Sequence, residues 1–244
     1  MRVLVNGACG HMGREVMRLA ESGYMGASPA AAVDAYGDDV SVHTHLEDAE
    51  QADVIIDFSH HSAVCALLDY AVDKHLPAVI ATTGHTEEEK ARIYAAADQI
   101  PVFYSANMSV GVAVLCSLVR QAAALFPDAD IEIVETHHNR KLDAPSGTAL
   151  MLAQAIRQVR PDAAVTCGRS GQTRRAPGEI GIQSVRLGNV VGIHEVLIST
   201  GTQTITLKHE AHDRKLFAEG AIAAAAYIEK KPAGLYDMQS MIGG

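Results

Sequence analysis

The sequence predicts an α/β protein: a doubly wound parallel sheet, followed by an α+β domain with a mixed sheet. Three observations carry that expectation. Short apolar runs alternate with helical patterns from Arg2 to Tyr104, as parallel strands joined by crossover helices require. A glycine turn, Gly7-Ala8-Cys9-Gly10-His11-Met12-Gly13, separates the first strand from the first helix. Beyond Phe126 the pattern changes to short β-like runs with few helices, the composition of an α+β unit.

The first elements follow in order. Arg2 to Asn6 is a short apolar strand, and Arg14 to Glu21 a helical pattern. The glycines between them let the backbone approach a pyrophosphate, and the helix start offers N–H groups and a positive dipole end. The spacing is GxxGxxG rather than GxGxxG, which alone is a weak signal. A second strand, Ala30 to Val33, ends at Asp34. An acid about 20 residues beyond the glycine turn is where a ribose diol is bound, so a Rossmann-type cofactor domain is expected. Ala35 and Tyr36 follow Asp34, with no cation among them. A 2′-phosphate needs a cationic fork, so NADH is expected to serve at least as well as NADPH, although Arg14 stands within reach.

The alternation then repeats. Strands are expected at Val54–Phe58, Ala78–Ala81 and Val102–Tyr104, and helices at Ala63–Lys74 and Glu87–Gln99. Ligands sit beyond the carboxyl ends of such strands. Thr82-Thr83-Gly84 and Ser105-Ala106-Asn107-Met108 fall there, with Asn107 the strongest of the group. Each also reads as ordinary turn chemistry. Ser109 to Phe126 is a long, nearly all-apolar helical pattern, and the domain change is placed near its start.

Ile131 to Val134 reads as a strand and Thr148 to Val159 as a helix. Between them lies Glu135-Thr136-His137-His138-Asn139-Arg140-Lys141-Leu142-Asp143-Ala144-Pro145-Ser146-Gly147, which reads as a loop between rigid elements. Short strands are then expected at Ala164–Cys167, Ile182–Arg186, Val190–Gly192, Glu195–Ser199 and Gln203–Leu207. A Gly/Pro/Arg-rich loop runs from Gly168 to Gly181, of a length that is functional or part of an oligomer contact. An alanine-rich helix, Phe217 to Glu229, is expected to return to the first domain, with Gly234 to Met238 as a tail. The expected domains are residues 1–108 with 214–244, binding dinucleotide, and residues 109–213, binding substrate.

Composition bounds the function. The 244 residues carry a formal net charge of −9, which argues against nucleic acid because phosphate binding needs a basic face. No run approaches the ~18 apolar residues of a membrane span. The four cysteines, Cys9, Cys65, Cys116 and Cys167, form no CxxC pair, and three read as small buried hydrophobes. The sequence starts directly in a strand, without a charged leader and apolar signal core. A cytoplasmic enzyme with reduced thiols is expected.

The chemistry concentrates before the Thr148 helix. Ser146-Gly147-Thr148 is a helix start that reads as a plain cap or as an anion site. The two histidines and Lys141 upstream favour the anion site. His137 and His138 are adjacent, so on extended chain they point to opposite sides and serve different roles. One can face a reacting atom while the other holds a substrate group. Histidine titrates near neutrality and can deliver a proton, and Lys141 can stabilise a developing anion. No HExxH motif and no cysteine pair with ligand spacing occurs, so no metal is expected. His43, His45, His60, His61, His75 and His85 are expected on surface loops or strand ends.

At these residues the sequence resembles the dihydrodipicolinate reductase family, also called 4-hydroxy-tetrahydrodipicolinate reductase. Glu135-x-His137-His138-x-x-Lys141-x-Asp143-Ala144-Pro145-Ser146-Gly147-Thr148-Ala149 is similar to that family's substrate-domain signature. Gly7 to Gly13, Thr82 to Gly84, Ser105 to Met108 and Leu235 to Met238 extend the resemblance over nearly the whole chain. The resemblance implies reduction of a cyclic unsaturated dicarboxylic imine, in lysine and diaminopimelate synthesis, by hydride from NADH or NADPH. It implies that Gly7, Ala8, Cys9, Gly10, His11, Met12, Asp34, Ala81, Thr82, Thr83, Ser105, Ala106, Asn107 and Met108 bind cofactor. It further implies that His137 is the general acid, with Lys141 as its partner. By the same resemblance His138, Gly147 and Thr148 hold the substrate carboxylates, and the assembly is a homotetramer. Ala81 stands where many members have glycine, and Ala35 where some have an arginine that favours NADPH. Asp143 has two open roles, orienting Lys141 or bracing the turn. Two rivals remain: another dehydrogenase of similar fold, which would lack the His-His-x-x-Lys loop, and a non-enzymatic nicotinamide sensor, which would need no proton donor.

Overall fold

A computed structural model describes residues 1–37, 41–49 and 51–243. Gly244, the last residue of the expected first domain, lies outside them. The chain divides into two compact units, Met1–Val110 with Lys215–Gly244, and Gly111–Arg214.

The first unit is a six-stranded parallel sheet with helices. Its strands are β1 (Arg2–Asn6), β2 (Ser28–Val33), β3 (Val54–Asp57), β4 (Ala78–Ile80), β5 (Pro101–Tyr104) and, last in sequence, β11 (Gly234–Tyr236). Their order across the sheet is β11-β5-β4-β3-β1-β2, with parallel pairing throughout. The direction of winding reverses beside β1, which is the switch point at which such sheets bind ligands. Strands buried on both faces read as continuous apolar runs, and β3 and β4 are buried at every position.

Helices α1 (His11–Glu21), α2 (Val64–Asp73) and α3 (Glu87–Ala97) connect these strands. Thr86 caps α3 with a full capping box, its hydroxyl accepting from Glu89 N–H and the Glu89 carboxylate accepting from Thr86 N–H. The alanine-rich α6 (Lys215–Ile228) packs on α1 and along β3, β4 and β5. Its small residues permit that approach: a Cβ on Gly220 would collide with the Met108 carbonyl oxygen. The tail expected after α6 supplies the sixth strand, β11, and a short α7 (Met238–Ile242).

The second unit is a five-stranded mixed sheet with α4 (Val110–Leu125) and α5 (Gly147–Arg157). Its strands are β6 (Asp130–His137), β7 (Val165–Cys167), β8 (Ile180–Arg186), β9 (Gly192–Ser199) and β10 (Thr204–Ala211), in the order β10-β9-β6-β8-β7. β10, β9 and β6 are antiparallel neighbours, whereas β6, β8 and β7 run parallel. Ile131, Ile133, Ile182 and Val196 of the sheet pack with Leu152 and Val119 of the helices in one core.

Three local expectations change. Val190 and Val191 form no strand of their own, and Gly192 begins β9 instead. His85 is buried, its ring edge-on to Tyr104 with 3.4 Å between Nδ1 and the phenol oxygen. Of the cysteines only Cys116 is fully buried, and burial pushes its thiol up to about 11. Cys9 and Cys65 are half-buried and Cys167 is exposed, so apolar neighbours in sequence did not ensure burial. Among the described residues no helix is long and apolar enough to cross a membrane.

Candidate active site

In the first unit the glycine turn joins β1 to α1. Gly7 has a positive φ of 80°, a conformation that disfavours a side chain. A Cβ on Gly13 would strike the Gly7 carbonyl, so both glycines are demanded by a turn this tight. The N-cap of α1 is Gly10, with no side-chain cap and no acid in the first turn. The start of the helix therefore keeps the positive character of its dipole, with no side chain of its own to offset it. Cys9 N–H donates to Asp34 Oδ2 at 2.9 Å, and Tyr36 N–H donates to Asp34 Oδ1 at 3.0 Å. The turn and the acid are thus one hydrogen-bonded assembly, placed together by the pairing of β1 with β2.

The strand ends beyond β3, β4 and β5 lie on the same side. Thr82 is buried, and its hydroxyl donates to Asp57 Oδ2 at 2.8 Å. Asn6 and Ser59 donate to Asp57 Oδ1 at 2.8 and 2.6 Å. Thr82 therefore braces the sheet end through Asp57, while Thr83 is exposed. Ser105 Oγ donates to Asn107 carbonyl oxygen at 2.8 Å, and Asn107 Oδ1 accepts from Ser109 N–H at 2.9 Å. Ala81 and Met108 are buried, and Ala106 is exposed.

In the second unit β6 runs further than the sequence suggested. Glu135, Thr136 and His137 are strand residues, still paired with β8, and Glu135 and Thr136 also with β9. The loop begins only at His138. Alternation explains the placement, since residues two apart share a face. Ile131, Ile133, Glu135 and His137 are buried and their intervening neighbours less so. Register then builds rows across three strands. Ile131 pairs with Ile180 and Ile198, and Ile133 with Ile182 and Val196. The next row is Glu135 with Ser184 and His194, and after it His137 pairs with Arg186. The helix-covered face is aliphatic for two rows and polar for the next two.

These polar rows form one network. Glu135 is fully buried. Arg186 grips its carboxylate with two bonds, both 2.9 Å, and His137 Nδ1 lies 2.5 Å from Oε2. Ser146 N–H donates to Oε1 at 3.2 Å. Ser146 is the N-cap of α5, its hydroxyl accepting from Ala149 N–H at 3.3 Å. The same hydroxyl lies 3.1 Å from His194 Nε2. The His194 ring packs edge-on against His137, 5.1 Å between centroids. Burial alone would raise the Glu135 carboxyl, but hydrogen bonds from Arg186, Ser184 and His137 bring it down to about 2. Burial pushes His194 down to about 4. His137 is also lowered, mainly by burial, with Glu135 opposing that shift.

The loop brings cations to the same place. Lys141 Nζ lies 2.8 Å from Asp143 Oδ1, and the Asp143 carbonyl accepts from Arg186 at 2.6 Å. The Lys141 ammonium beside Asp143 holds that carboxyl below its ordinary range. Arg214 approaches His138 Nε2 at 3.4 Å. Burial and the charges of Arg140 and Arg214 lower His138. The Ala144–Pro145 bond is cis, and Gly147 then opens α5.

The structure thus gathers His137, Lys141, Ser146 and the Gly147-Thr148 helix start around one end of the β6 sheet. His138 leaves toward Arg214. Sequence reasoning missed Arg186, His194, Gly192 and Arg214, and gave Glu135 no role. The signal for Glu135 was present: the period of two set by Ile131 and Ile133 carries straight on to Glu135 and His137.

Comparison with known proteins agrees over the whole chain. Residues 1–108 match the family model described as dihydrodipicolinate reductase, N-terminus, and residues 111–242 match that described as dihydrodipicolinate reductase, C-terminus. A relative named 4-hydroxy-tetrahydrodipicolinate reductase from Caldanaerobacter subterraneus subsp. tengcongensis is 44% identical, covering 99% of this chain and 98% of its own. One of the same name from Caulobacter vibrioides is 44% identical over 100% of this chain and 97% of its own. Among solved structures, dipicolinate-bound dihydrodipicolinate reductase from Paenisporosarcina sp. TG-14 superposes with a TM-score of 0.81 at 25% identity, covering 97% of both chains.

Proposed function

The chain belongs to the dihydrodipicolinate reductase family, and from that premise we propose how its own residues carry out the reaction. It is an NAD(P)H-dependent oxidoreductase of lysine and diaminopimelate synthesis, reducing 4-hydroxy-tetrahydrodipicolinate to tetrahydrodipicolinate. Overall the reaction takes up a hydride and a proton and releases water.

The nicotinamide cofactor supplies the hydride. Gly7 to Met12 receive its pyrophosphate, Asp34 its adenosine ribose, and Ala81 to Thr83 with Ser105 to Met108 the nicotinamide half. A cradle without side chains at Gly7, Gly10 and Gly13, bonded through Cys9 to Asp34, supports that reading. NADH serves at least as well as NADPH, because Asp34 is followed by Ala35 and Tyr36 rather than a cation.

Hydride addition to a conjugated imine leaves electron density that must take up a proton. His137 delivers it from Nε2, since Nδ1 is engaged by Glu135. Lys141, steadied by Asp143, stabilises the developing charge. His138 and the Gly147-Thr148 helix start hold the two substrate carboxylates, drawing on the dipole of α5 and the nearby Arg214. The observation that carries this reading is the convergence of His137, Lys141 and the α5 start on the polar rows of one sheet. The homotetramer, by family resemblance, and the cytoplasmic location, by four cysteines without a CxxC pair, are part of the same proposal.

The test is NADH oxidation on adding freshly made product of aspartate semialdehyde condensed with pyruvate. Turnover is expected with that product, and none with 2-hydroxy acids or amino acids offered with NAD+. Oxidation of the latter in place of reduction of the former would overturn the reading.

A further inference from the structure

We propose that Glu135 is the positioning residue of the proton transfer: clamped by Arg186, it fixes the His137 ring so that Nε2 alone exchanges the catalytic proton. This rests on His137 being the general acid.

The geometry is specific. Glu135 is fully buried at the centre of the sheet, where an isolated charge would be costly. Arg186 grips it with two bonds of 2.9 Å and is itself tied to the Asp143 carbonyl at 2.6 Å. Such a bidentate pair fixes the plane of the carboxylate. Oε2 then has one direction to offer, and His137 Nδ1 meets it at 2.5 Å. An ionised carboxylate only accepts, so Nδ1 carries its hydrogen whether the ring is neutral or charged. The neutral ring is therefore the Nδ1–H tautomer, with its lone pair on Nε2. The charged ring is stabilised by Glu135, and the proton it can lose to substrate is the one on Nε2.

The other groups facing His137 work against its charged form. Lys141 of the loop and Arg186 of β8 repel it, and burial penalises it further. His194 of β9 stays neutral at its side. Glu135 is the one anion among them. Its other oxygen, Oε1, accepts from Ser146 N–H at 3.2 Å. One carboxylate thus sets both the proton donor and the N-cap of the helix proposed to hold the substrate.

The experiment follows the histidine ring by 15N NMR of the full chain labelled at histidine, His137 being assigned by its absence in His137→Gln. In the parent protein the neutral form should be Nδ1–H. In Glu135→Gln the side-chain amide can donate to Nδ1, so the neutral form should become Nε2–H. Loss of the anion should lower the His137 titration by about one unit or more, with kcat at pH 7 falling at least about tenfold and NADH affinity kept within about twofold. An unchanged tautomer and midpoint would overturn the proposal. Should an unpaired Arg186 prevent folding, Glu135→Gln with Arg186→Gln removes both charges, and the same switch of tautomer is expected. A retained Nδ1–H tautomer in that protein would equally overturn it. Failure of the functional reading is a separate result: undiminished turnover in His137→Gln, whatever the spectra show.

Discussion

Gly192 faces His137 so closely that a Cβ built on it would lie 3.1 Å from Nε2. It would also meet Cδ2 of the same ring at 3.5 Å and Cε1 of His194 at 3.7 Å. Glycine at the start of β9 therefore keeps open the one imidazole nitrogen that Glu135 does not hold.

Gly192→Ala should fold, because its neighbours need give by only a few tenths of an ångström. The ring cannot swing away without losing its bond to Glu135. Misplacing a reacting group by a fraction of an ångström is expected to lower kcat about ten- to a hundredfold. NADH binding, which belongs to the other unit, should not change. Steady-state kinetics with direct titration of NADH checks both, and an unchanged kcat would mean that Nε2 is not the donor.

Much of the first unit was legible because its information is local. Apolar runs such as Val54 to Ile56 are buried on both faces and announce themselves. The polar network of the second unit was not, because its members are distant in sequence. His137 meets Arg186 through the register of β6 with β8, and Glu135 meets His194 through that of β6 with β9. A slip of one residue would separate them, and no local pattern around Arg186 or His194 states that register. The end of β6 was misjudged for a related reason. Charged and polar residues at Glu135 and His137 look like a loop until Arg186 and Ser146 are known to satisfy them.

His137→Gln removes the proposed proton donor while retaining a side chain of similar reach. Its kcat should fall about a hundredfold or more, with NADH affinity unchanged. Lys141→Ala should lower kcat by a similar factor and also raise the substrate KM, since the proposed site would lose both the cation that stabilises the developing charge and part of the positive field that draws in a dianionic substrate. Two variants with undiminished kcat would remove both residues from the mechanism.

Asp34 accepts from Cys9 and Tyr36 N–H groups with its two oxygens, so its carboxylate is fixed beside the glycine turn, and in the proposed cofactor site it stands against a 2′-phosphate. The ratio of kcat/KM for NADPH over NADH should stay below about ten, or about 1.4 kcal/mol. Asp34→Ala should raise that ratio by removing the repelling charge, and should weaken NADH binding because the glycine turn loses its anchor. A strong NADPH preference in the parent chain would place the dominant charge elsewhere, with Arg14 the first residue to replace.

His194 makes stability depend on pH in a defined window. Burial lowers it to about 4 in the folded chain, against an ordinary 6.5. Between those values the unfolded chain binds a proton that the folded chain does not. Stability from this group is therefore complete above about pH 6.5 and falls as pH drops toward 4. The loss between pH 7 and pH 4.5 should be about 2 kcal/mol from this residue. His194→Gln keeps a hydrogen-bonding partner for the Ser146 hydroxyl but cannot titrate, so that part of the dependence should vanish. Urea unfolding at the two pH values in both proteins measures it. An equal fall in both would show that the His194 ring takes up its proton without unfolding, and that its place between His137 and Ser146 is open to water.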